Sequence, residues 1–152
     1  MRLLFSRHGE AKHGSPDFDR ELTEKGIAEI KNLAALLKKM KVKPDYIVSS
    51  PLLRAQQTAS LYKTILGVEN ELIMERSLQP GGYIDELVIL AEGLNANMLF
   101  VGHQPDISGF VTQLSSPMHY NIAMYPGTIA SVVFDSDITF GRGFLEFLLR
   151  PF

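Results

Sequence analysis

The chain carries the stretch LLFSRHGEA at residues 3–11, where an apolar run leads directly into a charged loop. Two later stretches repeat this arrangement, YIVSSPLLRAQQTA at residues 46–59 and MLFVGHQP at residues 98–105. Each apolar run has the length and composition of a short buried strand, which predicts strands at 3–5, 46–48 and 98–101. The polar residues that follow are therefore expected to meet at one edge of a sheet, where ligands bind in open α/β proteins.

Helical and strand patterns alternate along the rest of the chain. Thr23 is the predicted N-cap of a helix that ends near Met40, and a second helix is predicted over 53–66, closed by Gly67. Further patterns predict a strand at 72–74, helices at 84–91 and 107–114, and an edge hairpin from the apolar runs 129–134 and 144–149. This order predicts an α/β fold, a three-layer α/β/α sandwich whose mostly parallel sheet has an antiparallel edge. The 152 residues are enough for one core, so 1–152 is expected to be a single domain.

The composition excludes several classes of function. With 15 basic and 17 acidic residues the formal net charge is -2, which predicts neither a nucleic-acid partner nor a membrane partner. The absence of cysteine excludes disulfides and the cysteine-based phosphatase mechanism. Arg7 interrupts the first apolar run early, and no run approaches the length of a membrane span, so we expect a cytoplasmic protein.

The residues that follow the predicted strands suit an anion. Arg7 and Arg54 can each present a guanidinium fork to phosphate oxygens, and His8 and His103 follow two other strand ends. This set predicts a pocket for a phosphoryl group, in which phosphate or sulfate should bind. A metal site built from His8, His13 and His103 is the alternative, but neighbouring arginines repel a cation, so no metal or other cofactor is expected.

Two interpretations of each histidine remain open at this point. His8 is either a buried residue bonded to backbone or a nucleophile, and His103 is either a satisfied buried histidine or a donor to a phosphate oxygen. Gly9 favours the nucleophile, because a residue without a side chain lets a tetrahedral group approach the imidazole closely. A neutral imidazole with a reference pKa of ~6.5 needs no separate base at pH 7.

Taken together, the three stretches resemble the histidine phosphatase superfamily, whose fold is phosphoglycerate mutase-like. The members carry Arg-His-Gly after the first strand, an arginine after the second and a second histidine after a later one. The segment DRELTEKG at 19–26 is similar to the family's helix entry, and SSPLLRAQQTA at 49–59 to its arginine signature. The variant RHGEA and the tail TIASV at 128–132 make the chain most similar to the SixA-type phosphohistidine phosphatases.

The resemblance implies a role for each residue of the predicted pocket. His8 is expected to accept the phosphoryl group as nucleophile, while Arg7, Arg54 and His103 hold its oxygens. Arg20 is expected to reach the same site.

The general acid is left open by the resemblance. Glu75, at the end of the third predicted strand, resembles the mutase acid, and Glu10 is the second candidate. An alkoxide leaving group, with basicity approaching that of water (pKa ~15.7), needs a proton in the transition state. A phosphohistidine ring departs as neutral imidazole and does not.

The sequence therefore favours a phosphatase that acts on a phosphohistidine domain of another protein. The alternatives are a small phosphorylated substrate, hydrolysed by a phosphomonoesterase or rearranged by a phosphoglycerate mutase, and a phosphate-binding module without turnover.

Overall fold

A computed structural model describes residues Met1–Phe152 as alternating strands and helices. The strands are β1 (Arg2–Arg7), β2 (Tyr46–Ser49), β3 (Ile73–Met74), β4 (Met98–Gly102), β5 (Ile129–Val133) and β6 (Phe144–Leu149). The helices are α1 (Glu24–Lys39), α2 (Leu53–Leu66), α3 (Asp85–Leu94) and α4 (Asp106–Ser115). Two 3-10 turns lie at Asp17–Asp19 and Arg76–Leu78.

The six strands form one sheet in the order β3-β2-β4-β1-β5-β6. The first four strands in that order are parallel, and β5 and β6 are antiparallel to their neighbours. The predicted mostly parallel sheet with an antiparallel edge is therefore confirmed. Because β2, β4 and β1 are adjacent and parallel, the loops that leave their carboxyl ends share one edge of the sheet.

Side-chain alternation along β1 separates two apolar cores. Leu3 and Phe5 belong to the core under α3 and α4, whereas Leu4 belongs to the core under α1 and α2. These three side chains are at most 1% exposed, so β1 is buried on both faces, as a central parallel strand should be. Helices on both faces of one sheet give the predicted three layers.

The start of α1 packs against the loop that follows β1. Thr23 caps the helix by accepting a hydrogen bond from the Gly26 backbone at 2.9 Å, as its N-cap position predicted. The Thr23 backbone N–H donates to the Glu10 carbonyl at 2.9 Å. A Cβ on Gly26 would overlap that same carbonyl oxygen, so only glycine allows helix and loop to approach this closely.

The edges of several elements differ from the sequence-based prediction. β3 contains only Ile73 and Met74, because it pairs with β2 at two positions on the outer edge of the sheet. α3 spans Asp85–Leu94 rather than 84–91, and it ends where Asn95 adopts a left-handed conformation. None of the helices combines the length and apolar character that a membrane span requires.

Candidate active site

The loops after β1, β2 and β4 bring the predicted residues to one place. His8 follows β1, Arg54 lies in the first turn of α2 just beyond β2, and His103 follows β4 directly. The His8 backbone N–H donates to the Gly102 carbonyl at 3.0 Å, which ties the end of β1 to the end of β4. The rings of His8 and His103 lie 5.1 Å apart, centroid to centroid.

The imidazole of His8 is held in one tautomer. Its Nδ1 lies 2.7 Å from the Gly9 carbonyl oxygen, and because a carbonyl only accepts, Nδ1 carries the proton. Arg54 Nε donates to His8 Nε2 at 3.3 Å. The lone pair of Nε2 therefore faces a guanidinium, which is the position of a group that would attack a bound anion.

Arg54 is held on its other side by the loop before α1. Its two terminal nitrogens donate to the Asp17 carbonyl oxygen at 2.9 Å and to the Asp17 carboxylate at 3.3 Å. The arginine is 5% exposed, whereas the Asp17 side chain is 63% exposed. The guanidinium is thus fixed between a buried imidazole and a solvent-facing carboxylate.

His103 is fixed by a serine at the end of β2. Its Nε2 lies 2.8 Å from Ser50 Oγ, and Ser50 Oγ accepts a hydrogen bond from the Leu52 backbone at 3.3 Å. Both His103 and Ser50 are buried. Ser50 therefore holds the His103 ring in place at one side of the site.

Both imidazoles are electrically neutral at physiological pH. Burial, together with the positive charges of Arg54, Arg7 and Arg20, lowers the pKa of His8 to about 4, although its bond to Gly9 acts in the opposite direction. Burial and the neighbouring His8 and Arg54 lower the pKa of His103 to about 3. A neutral His8 is the nucleophilic form of the ring.

Arg7 completes the positive wall of the site. Its terminal nitrogen donates to the Met124 carbonyl oxygen at 3.2 Å, and burial and the nearby Arg54 lower its pKa. Arg7 Nε and His103 Nδ1 are buried without a hydrogen-bond partner in the protein. Such unsatisfied polar atoms beside two guanidinium groups suit an oxyanion ligand.

Both candidate acids, Glu75 and Glu10, form their hydrogen bonds outside the cluster of His8, Arg54 and His103. One Glu75 carboxylate oxygen accepts hydrogen bonds from the backbone and the hydroxyl of Ser77, both at 3.0 Å. Glu10 accepts from the Thr23 hydroxyl at 3.0 Å and lies 3.7 Å from Lys25 Nζ. Neither carboxylate forms a hydrogen bond or an ion pair with His8, Arg54 or His103.

Arg20 reaches the site through Asp17. It donates to the Asp17 carboxylate at 3.0 Å and to the Lys12 carbonyl oxygen at 2.7 Å, and its bond to Asp17 lowers the pKa of that carboxyl. Arg20 thus contributes charge near His8 without a direct hydrogen bond to the ring. His13 is exposed in the same loop, and no group of three His, Asp or Glu side chains is arranged to hold a metal ion.

Sequence reasoning assigned no role to Asp17, Ser50 or Thr58, which hold the site residues in place. Thr58 lies four residues after Arg54 on α2, and Ser50 directly follows β2. The available signal was that Ser50 and Thr58 lie close to Arg54 in the sequence, whereas Asp17 lies in a polar loop where such a residue is common. Their partners, however, lie far away in the sequence.

Comparison with known proteins agrees with this geometry. The sequence model of the histidine phosphatase superfamily (branch 1) matches residues 3–79. An uncharacterized protein of Picosynechococcus sp. strain PCC 7002 is 35% identical over 115 residues, which is 70% of this chain and 68% of that protein. The phosphohistidine phosphatase SixA of Escherichia coli K12 is 28% identical over 160 residues, covering 99% of this chain and 94% of SixA.

A solved structure gives the same result at the level of the fold. The structure of the protein histidine phosphatase SixA complexed with tungstate matches with a TM-score of 0.87 and 27% identity, over 98% of this chain and 96% of that one. The predicted SixA-like α/β fold is therefore confirmed. The chain belongs to the histidine phosphatase superfamily (branch 1), as a SixA-like phosphatase that uses a histidine nucleophile.

Proposed function

We propose that this chain hydrolyses phosphohistidine on a protein substrate and that His8 Nε2 is the nucleophile. The observation that carries the proposal is the fixed tautomer of His8. Its Nδ1 donates to the Gly9 carbonyl oxygen at 2.7 Å, so Nε2 keeps its lone pair beside Arg54. The low pKa of His8, about 4, keeps that lone pair free over the physiological range.

Phosphoryl transfer would proceed in two displacements. His8 Nε2 attacks phosphorus while the bond to the substrate imidazole breaks, and the substrate ring, protonated on its other nitrogen, leaves with the electron pair as neutral imidazole. Water then attacks the phosphorus of phospho-His8, which releases inorganic phosphate and returns the ring to its starting state. Arg7 and Arg54 supply positive charge to the equatorial oxygens during both steps.

Arg54 changes partner during the first displacement. Its Nε–H donates to His8 Nε2 at 3.3 Å, and this contact is replaced by one to a phosphate oxygen when Nε2 forms its bond to phosphorus. The arginine therefore orients the free ring and then stabilises the transferred group.

The hydrogen bonds of the two candidate acids support a preference for phosphohistidine, because both carboxylates are bonded to residues other than His8, Arg54 and His103. Glu75 caps the turn at Ser77, and Glu10 is bonded to Thr23 and lies near Lys25. A substrate imidazole leaves without strong acid assistance, whereas an alkoxide depends on a positioned acid for roughly 10²- to 10⁴-fold in rate. The relatives named as phosphohistidine phosphatases support the same substrate class.

The test compares substrates and traps the intermediate. Wild type, His8→Asn and the exposed-histidine control His119→Asn are assayed on a phosphohistidine-containing protein domain, 3-phosphoglycerate and glucose 6-phosphate. We expect the phosphohistidine to turn over fastest, His119→Asn to match wild type, and an acid-labile phosphoryl label to map to His8. A label on another residue would overturn the nucleophile assignment. Faster turnover of either small substrate would show a phosphomonoesterase or a mutase instead.

A further inference from the structure

We propose that the Thr58 hydroxyl is the positioning group that sets His8 against Arg54, an inference that rests on the function proposed above. Thr58 lies on α2, one helical turn beyond Arg54, and is fully buried. Its hydroxyl bonds to the backbone of Arg54 and of Gly9, the residue after His8, and it is not bonded to His8 Nε2, so it acts through the backbone.

One oxygen atom joins the two halves of the site. Thr58 Oγ1 accepts a hydrogen bond from the Gly9 backbone N–H at 3.0 Å and donates its own proton to the Arg54 carbonyl oxygen at 2.8 Å. The first bond reaches the loop after β1, and the second remains within α2. The loop that carries His8 is thereby tied to the first turn of the helix that carries Arg54.

The hydrogen bond between Gly9 and Thr58 matters because Gly9 determines the tautomer of the His8 ring. The Gly9 carbonyl oxygen accepts from His8 Nδ1 and so keeps Nε2 unprotonated. Glycine has no side chain to restrict its backbone, so its orientation depends on what its polar groups contact. Without Thr58 Oγ1, the Gly9 N–H loses its acceptor, and a shift of the Gly9 backbone that finds a new one changes where the Gly9 carbonyl, in the next peptide unit, lies relative to Nδ1.

A second threonine in the chain provides a matched control. Thr112 on α4 is 7% exposed, and its hydroxyl also donates to a carbonyl of its own helix, that of Gly109, at 3.0 Å. Unlike Thr58, Thr112 accepts no hydrogen bond from another element. Removing either hydroxyl therefore breaks a similar hydrogen bond within a helix. Only at Thr58 does it also break the hydrogen bond to the loop that carries His8.

The experiment compares Thr58→Val, Thr58→Ser and Thr112→Val. For each variant we measure kcat and KM on the phosphohistidine domain, the Kd of tungstate, and the His8 tautomer by ¹⁵N NMR of the labelled imidazole. We expect Thr58→Val to lower kcat about 10- to 100-fold, since small misplacements of reacting groups have effects of that size. It should also weaken tungstate binding and lose the single Nδ1-protonated tautomer. Thr58→Ser and Thr112→Val should stay within about threefold of wild type and keep the tautomer.

Two outcomes overturn the proposal. One is a Thr58→Val variant that keeps either the kcat or the single tautomer of wild type, and the other is an equal loss of kcat in Thr58→Val and Thr112→Val. If Thr58→Val does not fold, Thr58→Cys replaces it, because a thiol is a weak hydrogen-bonding group. A kcat for Thr58→Cys equal to that of Thr58→Ser then refutes the role of the hydroxyl.

The outcomes also separate this proposal from the proposed function. If wild type forms no phospho-His8, the nucleophile assignment fails, but the tautomer comparison still decides whether Thr58 controls the ring. If wild type is labelled on His8 and Thr58→Val keeps the Nδ1-protonated tautomer, the proposed function stands and only the inference about Thr58 is wrong.

Discussion

The site has two sides that differ in how they are held. The cluster of Arg7, His8, Arg54 and His103 is fixed by buried bonds to backbone and to neighbouring side chains. Glu10 and Glu75, in contrast, are engaged with Thr23 and Ser77, outside that cluster. The fold therefore holds in place the residues proposed to bind the phosphoryl group, and it bonds neither candidate acid to them.

Replacing Arg54 should have the largest effect on this preorganised side. The guanidinium is 5% exposed and contacts His8 Nε2 directly, so we expect Arg54→Gln to lower kcat/KM about 10²- to 10³-fold. Steady-state kinetics on the phosphohistidine domain measure this, with Arg142→Gln, which removes an exposed arginine elsewhere, as the control. A loss below about threefold would show that transition-state charge is stabilised elsewhere.

His103→Asn should have a smaller effect on the same side. The asparagine removes the ring that stands 5.1 Å from His8 but keeps a polar group that can contact Ser50, so we expect about a 10- to 100-fold loss in kcat/KM. Tungstate affinity, measured by calorimetry, should fall with it. Unchanged anion affinity together with unchanged turnover would remove His103 from the site.

The pH dependence of stability tests, without any substrate, whether His8 and His103 are buried as neutral rings. The pKa values of His8 and His103 are lowered from 6.5 to about 4 and about 3, so below pH 6.5 the unfolded chain binds protons that the folded chain does not. Stability is therefore lost as the pH falls from about 6.5 towards 4, on the order of 1–2 kcal/mol per histidine between pH 7 and pH 5.

Urea unfolding at several pH values measures this loss. His103→Asn should show a shallower decline than wild type, because one of the two buried neutral rings is gone. Equal slopes for the two proteins would mean that His103 titrates normally in the folded chain.

Removing either candidate acid, Glu75 or Glu10, should have the smallest effect on turnover. Glu75→Gln and Glu10→Gln each keep an amide oxygen for the bonds to Ser77 and Thr23, so folding should be little affected. We expect turnover of phosphohistidine to change less than about threefold, while any slow activity on alkyl phosphates declines further. Comparable tenfold losses on both substrates would reveal a true general acid and an ordinary phosphomonoesterase.

The sequence predicted most of the fold because its signals are local. The Thr23 cap and the left-handed Gly67 fix the start of α1 and the end of α2 within a few residues of chain. The predicted ends of β3 and α3 differ from the structure. A two-residue edge strand is determined by its partner β2 rather than by its own pattern, and α3 continues to the left-handed Asn95.

The site was predicted as a set of residues but not as a network. Arg-His-Gly at 7–9 and the arginine signature identify groups whose chemistry is evident from their type. The bonds that position those groups, such as Thr58 to Gly9 and Asp17 to Arg54, join residues 49 and 37 positions apart. No local pattern encodes a contact of that range, so only the folded structure reveals it.

The close approach of Gly26 to Glu10 has a consequence for anyone who wants a more heat-resistant version of this protein. Glycine-to-alanine changes in helices commonly raise stability by about 0.5–1 kcal/mol, and α1 and α3 offer one candidate each. Gly93 on α3 faces open space, so Gly93→Ala should gain that amount in a thermal melt and leave turnover unchanged. At Gly26 the added methyl group would push α1 away from the loop that carries His8, so Gly26→Ala is expected to abolish turnover.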